Sequence, residues 1–202
     1  MSKMTVRNIT PGTTGYYNGE PCLVLEHRED GTLLLDLNEI TYEFGSSNNF
    51  ATSDLRDYLN GAYLNTLTKG QPGDVLPRTV DLTALNGSKE YGTCECQVAP
   101  LTVDELRKYH DLLRKTEQKK WEWSVTPWST PQVNGDESWV MGLGTDGGVD
   151  YGGCAGTGGS RPAFLIPSNT TVDDNEDTEG LSQYTSEELL EELHRRLTQR
   201  DA

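Results

Sequence analysis

Side chains able to carry covalent or metal chemistry are few in this chain, and their spacing does not combine them. Three histidines, His27, His110 and His194, and four cysteines, Cys22, Cys94, Cys96 and Cys154, are the candidates for nucleophile, general base or metal ligand. A nucleophile of that kind needs a histidine beside it, and no spacing pairs one of the three with a partner. His110 lies in a helical segment next to Tyr109 and is read as structural or exposed. Cys94 and Cys96 are separated by one residue, not by the two of common zinc knuckles. All four cysteines are expected as reduced thiols, without metal or disulfide. Asp173, Asn175 and Asp177 alternate like the first ligands of an EF-hand loop. Its sixth position, however, is Thr178 where glycine is required, and its twelfth is Tyr184 where glutamate is required. Gly142, Gly144 and Gly147 lead into no helix that begins Lys-Ser or Lys-Thr, so they form no phosphate cradle. No catalytic residue, metal site or cofactor is assigned, and a non-enzymatic role is expected.

What remains is recognition chemistry. All four tryptophans, Trp121, Trp123, Trp128 and Trp139, fall between Trp121 and Pro167, a stretch that also holds a glycine-rich run from Gly142 to Gly159. Exposed Trp and Tyr bind proteins and sugars through large, rigid, apolar faces. Trp128, Trp139 and Tyr151, with Asp146 and Asp150 near them, are the candidate binding residues of this stretch. Glu187 and Glu191 are the candidates near the C-terminus. Tryptophans also fill cores, and at least two of the four are expected inside, Trp123 among them.

Charge narrows the partner. The formal charge is −15, of which residues 171–202 carry −7 (ten acids, three bases) and the rest −8 (22 acids, 14 bases). Binding to a phosphate backbone needs clustered Lys and Arg, so direct nucleic-acid binding is disfavoured. An acidic surface can instead imitate nucleic acid and occupy a basic groove on another protein, or simply confer solubility. No window of eighteen apolar residues reads as a membrane span, and Met1 to Thr5 lack the apolar run of a secretory leader. The cytoplasm, or a virion assembled there, is the expected location.

The elements that must position these residues read as mixed. A short strand near Val6 precedes the apolar runs Leu23–Leu25 and Leu33–Leu35, which flank a hairpin signal at Asp30-Gly31, and a further strand is read at Ile40–Phe44. Residues 52–65 take helical spacing, with Ser53 as N-cap and Leu55, Tyr58, Leu59 and Ala62 as the buried stripe. Asn60-Gly61 either ends this helix or lets it pack closely. A short strand is read within Val75–Leu85. Thr102 and Glu105 form a capping box, and Leu101 with Leu106 a hydrophobic staple, for a second helix through Leu113. Arg114 to Lys120 is a basic run, read as that helix's end meeting solvent. Two strands flank Asp146-Gly147, and Phe164–Ile166 closes the core. Residues 169–183 read as an acidic linker and 184–202 as an amphipathic helix, capped by Thr185 and Glu188, with Leu189, Leu193 and Leu197 on one face. Arg161, just before the last core strand, is read as structural, with Asp54 or Asp57 as its carboxylate.

One ordered set of motifs goes further. Ser53-Asp54-Leu55-Arg56-Asp57-Tyr58-Leu59-Asn60, then Ala99-Pro100-Leu101-Thr102, then Trp123-Ser124-Val125-Thr126-Pro127-Trp128, then Arg161-Pro162-Ala163 resembles a family of uncharacterised domains from Firmicutes and from phages and prophages of gut bacteria. The likeness spans about residues 10–167. That family is similar in layout to C-type-lectin-like domains, with two helices, a Trp-rich region and a late Gly-rich sheet. The resemblance implies an α+β, C-type-lectin-like domain over 1–168 with short antiparallel strands and two helices. It carries over no functional residues, because the calcium motifs of true C-type lectins and the cysteine pair of formylglycine-generating enzymes are both absent. The implied function is a phage or prophage binding protein, possible as a virion component, that recognises a protein or a glycan. The alternative is an acidic, nucleic-acid-mimicking inhibitor of a host defence nuclease, in the manner of anti-CRISPR proteins.

Overall fold

The computed structural model describes residues 3–173. The strands are β1 (Lys3–Thr5), β2 (Thr14–Tyr17), β3 (Glu20–His27), β4 (Thr32–Asp36), β5 (Ile40–Glu43), β6 (Arg78–Asp81), β7 (Thr93–Cys96), β8 (Val98–Ala99), β9 (Glu122–Pro127), β10 (Trp139–Leu143), β11 (Val149–Gly153), β12 (Thr157–Ser160), β13 (Ala163–Ile166) and β14 (Thr171–Asp173). The helices are α1 (Asp54–Tyr58), α2 (Leu64–Leu67), α3 (Val103–Lys108), α4 (His110–Leu113) and α5 (Pro131–Asn134). The strands form a seven-stranded sheet, in the order β1-β14-β2-β3-β4-β13-β8, a five-stranded sheet, β11-β10-β9-β12-β5, and the pair β6-β7. All pairings are antiparallel except one bridge between β9 and β12. The class is mixed, with antiparallel sheets and few helices, as an α+β reading requires.

The apolar runs at 23–25 and 33–35 are continuous because both faces of the large sheet are covered. Val24, Leu34, Phe164 and Ile166 pack with Leu55, Leu59 and Tyr63 of the first helical segment and with Trp123, Val125 and Val140 of the smaller sheet. Leu23, Leu25, Leu33, Leu35 and Leu165 pack on the other side with Leu101, Leu106, Tyr109 and Leu113. The second helix begins as expected: both halves of the Thr102–Glu105 capping box are made. Glu105 also receives Arg78, at 3.1 Å, and so ties the helix start to β6.

The first helical segment departs from its sequence reading. Ser53 caps α1 by accepting the Arg56 N–H. Between α1 and α2, however, Leu59–Tyr63 form a π turn, and the helix runs through Asn60-Gly61 to Leu67. A π turn closes its rings over one more residue than an α turn. The buried positions therefore slip by one. Ala62 is exposed, and Tyr63 and Leu64 take the inward places. Gly61 faces open space and serves no close packing. Asn60 explains the wide turn. Its amide nitrogen donates to the Arg56 and Val98 carbonyls, and its oxygen accepts from the Gln97 and Val98 N–H groups. One side chain thus covers the β8 edge of the large sheet.

Three further expectations are corrected. At Asp30-Gly31 the hairpin forms, but Gly31 is not left-handed: a Cβ there would lie 2.5 Å from the Ile166 carbonyl, so close approach is what demands glycine. The domain also extends past 168, because Thr171–Asp173 enter the sheet between β1 and β2 and bury Val172. The reason is alternation: Thr-Val-Asp puts its one apolar side chain inward. The remaining linker residues from 174, and the helix expected over 184–202, lie outside the described residues.

Arg161 is structural, but neither Asp54 nor Asp57 is its partner. Its Nε donates to Glu122 Oε1 at 2.6 Å and a terminal nitrogen donates to Thr116 Oγ1 at 2.6 Å. Arg161 and Glu122 are both buried. Asp54 is exposed, and Asp57 meets only Arg56, at 3.4 Å, on the surface. Those two acids belong to the helix on one side of the large sheet. Arg161 lies toward the other, beside Leu101, Leu106 and Leu113. Burial raises the Glu122 carboxyl above its usual range, and Arg161 offsets only part of that. A second buried acid, Asp36, accepts the Tyr63 hydroxyl at 2.5 Å and the Asn38 N–H at 2.8 Å. Burial pushes its pKa up to about 6.

Two stability predictions follow from these acids. Arg161→Ala strands the Glu122 carboxylate and is expected to cost about 3–5 kcal/mol, where each kcal/mol lowers Tm by about 2–4 °C in a domain of this size. A thermal melt checks it, and a change within about 2 °C would mean that the pair is dispensable. Asp36 has a folded pKa above its unfolded one. Its contribution is therefore most favourable at acid pH and declines as pH rises from about 4 to about 6, by roughly 3 kcal/mol in all. Asp36→Asn removes that slope, which melts across this pH window measure. An unchanged slope would assign the pH dependence to other groups.

Candidate functional site

The tryptophans divide between core and surface. Trp123 is buried, donates its indole N–H to the Tyr42 carbonyl at 3.0 Å and packs edge-on to Phe44. Trp121 is half-buried and stands edge-on to Trp123, with centroids 4.6 Å apart. The glycines around them exist for these rings. A Cβ at Gly142 or Gly152 would run into the Trp121 ring, and one at Gly158 would lie 2.6 Å from Trp123. The glycine-rich run is thus largely a floor for indoles, and Gly147, with φ +81°, turns the β10–β11 hairpin as its sequence implies.

The other two tryptophans are 37 % and 38 % exposed, and Tyr151 is 51 % exposed. They come together. The Tyr151 ring centroid lies 6.1 Å from that of Trp128, tilted by 40°, and 5.4 Å from that of Trp139, nearly perpendicular at 84°. The alternation of β10 and β11 places Trp139 and Tyr151 on one face of the hairpin. Trp128, just past β9, is joined to that face when its N–H donates to the Trp139 carbonyl at 3.0 Å. Large exposed apolar groups are ordinary when scattered, but three touching rings form a patch. Leu85, also exposed, is held alongside by its N–H to the Pro127 carbonyl.

Asn48 holds this patch in place. It is 1 % exposed. Its side-chain nitrogen donates to both the Ser129 and Trp139 carbonyls at 3.0 Å, its oxygen accepts the Tyr91 hydroxyl at 2.8 Å, and its backbone N–H reaches Glu137 O. Asn86 to Ser129 and Ser88 to Thr130 brace the same loop. Acids surround it. Burial, then the nearby Glu137 and Glu90, raise the Tyr91 pKa to about 12. Residues 128–154 contain four carboxylates and no Lys, Arg or His.

The structure therefore gathers Trp128, Trp139 and Tyr151 and leaves the two aspartates apart from them. Asp146 lies in the hairpin turn, at the far end of β10 from Trp139, where its Oδ1 accepts the Gly148 N–H at 2.8 Å. Asp150 points to the opposite face and accepts the Tyr151 N–H at 2.8 Å. Glu187 and Glu191 lie outside the described residues. Asn48 was missed. It sits in the run Ser46-Ser47-Asn48-Asn49, which carries only a loop signal.

Elsewhere among the described residues, no group of three or more His, Cys, Asp or Glu side chains is placed to hold a metal ion. His27 is fixed between Thr32 Oγ1 and the Ile9 carbonyl, His110 is exposed, and the four cysteines are buried free thiols. The basic run after Leu113 is not a helix end but a loop. It lines a cleft of about 670 Å³ opposite Tyr16, Asn38 and Glu39. Several of its polar groups are engaged: Lys120 with Thr41 at 2.6 Å, Lys119 with Glu117 at 3.8 Å, and Glu39 Oε2 with the N–H groups of Lys119 and Lys120, while Glu39 Oε1 is buried without a hydrogen-bond partner. No described helix is long and apolar enough to cross a membrane. Comparison with protein-family models, curated proteins and solved structures finds no match to this chain.

Replacing Asn48 by Leu leaves the Ser129 carbonyl and the Tyr91 hydroxyl without this partner, each worth about 1–3 kcal/mol when buried, and takes from the Trp139 carbonyl one of its two donors. Asn48→Leu is expected to lower Tm and to shift tryptophan emission to the red as Trp128 and Trp139 gain water. Unchanged emission in a destabilised variant would show that Asn48 braces the fold without positioning the patch.

Proposed function

We propose that this chain is a non-enzymatic binding module of phage or prophage origin, with a C-type-lectin-like fold, that grips a protein partner through Trp128, Trp139 and Tyr151. The observation that carries the reading is the patch itself. Three large rings from separate segments are partly exposed to water while a buried asparagine holds the backbone at Trp139 and at Ser129, next to Trp128. Packing alone gives no reason to expose them. Aromatic anchors at the centre of a polar rim are the usual anatomy of a protein interface, and a few such residues carry most of its energy. Rings tilted by 40° and 84° offer no flat platform for a pyranose, which favours a protein over a glycan. The carboxylates around the patch call for a partner surface that sets Lys or Arg about an apolar knob. The fold reading is supported by the adjacency of β1 and β14 at the two ends of the described chain, by the helices on opposite faces of the large sheet, and by the late Gly- and Trp-rich sheet.

The test is a pull-down from a bacterial host lysate with mass spectrometry, followed by measured affinities for the protein recovered. Trp128→Ala and Trp139→Ala are each expected to weaken binding by at least about 30-fold, the scale of a hot-spot residue, with little change in Tm. Affinity is expected to fall less than about tenfold between low and moderate salt, because apolar contacts are not screened. A partner that tolerates both substitutions and is released steeply by salt would overturn this reading in favour of the acidic, nucleic-acid-mimicking inhibitor.

A further inference from the structure

The patch lies beside a free sheet edge. Strand β11 is the outermost strand of the five-stranded sheet, and among the described residues it pairs only with β10. The hairpin closes with a bond from Gly144 N to Gly148 O. With strict alternation from there, Asp150 and Gly152 direct their backbone groups to β10, while Val149, Tyr151 and Gly153 direct theirs outward. Of the outward groups, the Tyr151 N–H is held by the Asp150 carboxylate and the Gly153 carbonyl by the Gly156 N–H. The Val149 N–H and carbonyl, the Tyr151 carbonyl and the Gly153 N–H have no backbone partner among the described residues.

The glycines of this strand are also informative. Gly152 has an internal neighbour, since a Cβ there would press on Trp121 at 3.1 Å and make that ring give way. Gly153 has none so close: a Cβ would meet only the Trp139 ring, at an ordinary 3.8 Å, and its φ is not left-handed. Nothing within the described chain demands glycine there. Its effect is external, in that it bares both the Trp139 ring and the strand backbone to anything that approaches. A glycine in a strand often marks such an approach by another backbone.

From these observations we infer that β11 receives an extended, basic segment of the partner as an added antiparallel strand, with alternate apolar side chains of that segment lying on Tyr151 and Trp139. This rests on the aromatic patch being the binding surface, and it specifies how that surface is read. Backbone pairing supplies affinity, and alternate side chains supply specificity. Charge selects the occupant. A second copy of this chain would bring Asp146 and Asp150 against their own counterparts with no base nearby, whereas a segment with Lys or Arg at alternate positions meets the carboxylates of 128–154. Asp150 has a second role. By holding the Tyr151 N–H it blunts the free edge against indiscriminate pairing, and the arriving strand displaces it.

The probe is a synthetic peptide of about ten residues alternating Lys and Val, long enough to cover one edge strand. Its control is the same peptide N-methylated at the peptide nitrogens of one strand edge, which keeps charge and side chains but cannot pair. The expected result is binding of the plain peptide to the full chain, with hydrogen exchange of the Val149 and Gly153 amides slowed at least about tenfold on addition, and loss of binding by the N-methylated form. Val149→Pro removes one outward N–H without touching the β10 ladder and is expected to weaken binding by about tenfold or more. Equal binding of the two peptides, no binding of either, or amides already protected before peptide is added would each overturn the inference. The protein is unaltered in the peptide arm, so poor folding of Val149→Pro cannot obscure the result. Trp139→Ala, which removes one of the two rings the peptide is placed on, separates the two readings. If it weakens the peptide while N-methylation and Val149→Pro do not, the patch stands and the edge fails. If it has no effect while they do, the edge stands and the patch fails.

Discussion

The chain passes from the smaller sheet to the larger at Arg161-Pro162, between β12 and β13, and the guanidinium of Arg161 secures the crossing. It reaches back to Glu122 in β9 and to Thr116 in the loop after α4, so one side chain ties together both sheets and the second helical segment. The pair is buried, and two charges out of water are tolerated only in good geometry. The 2.6 Å contact and the additional bond to Thr116 provide it. The relative placement of the sheets, and with it that of the indoles at the start of β9, depends on this contact.

From that junction the structure extends in two directions with different economies. On the large sheet, both faces are sealed by helices, and apolar side chains fill both sides of β3, β4 and β13. On the small sheet, glycines replace side chains where Trp121 and Trp123 lie, so two rings do the work of many residues. At that sheet's outer edge β11 is largely exposed, whereas β10 past Trp139 is buried. β10 and β11 present Trp139 and Tyr151 to solvent, and the loop after β9 adds Trp128. A sealed scaffold thus carries one exposed aromatic edge.

Polar side chains decide the local geometry at the points of departure. Asn60 satisfies three backbone groups at the β8 edge and the Arg56 carbonyl of α1, at the start of the π turn. Asn48 does the corresponding work beneath the patch, with two donated bonds and one accepted. Each is an amide able to donate and accept at once, which is what a buried loop or sheet edge requires. Both look in the sequence like ordinary asparagines of turns.

The sequence by itself determined whatever depends on local physics. Capping at Ser53 and Thr102, the hairpins at Asp30-Gly31 and Asp146-Gly147, and the apolar runs of Leu23–Leu25 and Leu33–Leu35 were all legible, because caps, turns and periodicity act within a few residues. Tertiary structure alone decided the rest. It made Glu122, not Asp54 or Asp57, the partner of Arg161, since an ion pair joins residues 39 apart that only the sheet crossing brings together. It moved the helical stripe from Ala62 to Tyr63, where Asn60 bonds both the Arg56 carbonyl of its own helix and the backbone of Gln97 and Val98 across from it. It gathered Trp128, Trp139 and Tyr151 but turned Asp150 to the other face, since neighbours on a strand point opposite ways. And it left Gly153 without an internal reason, since whether a glycine serves packing or approach depends on what stands across from it in space.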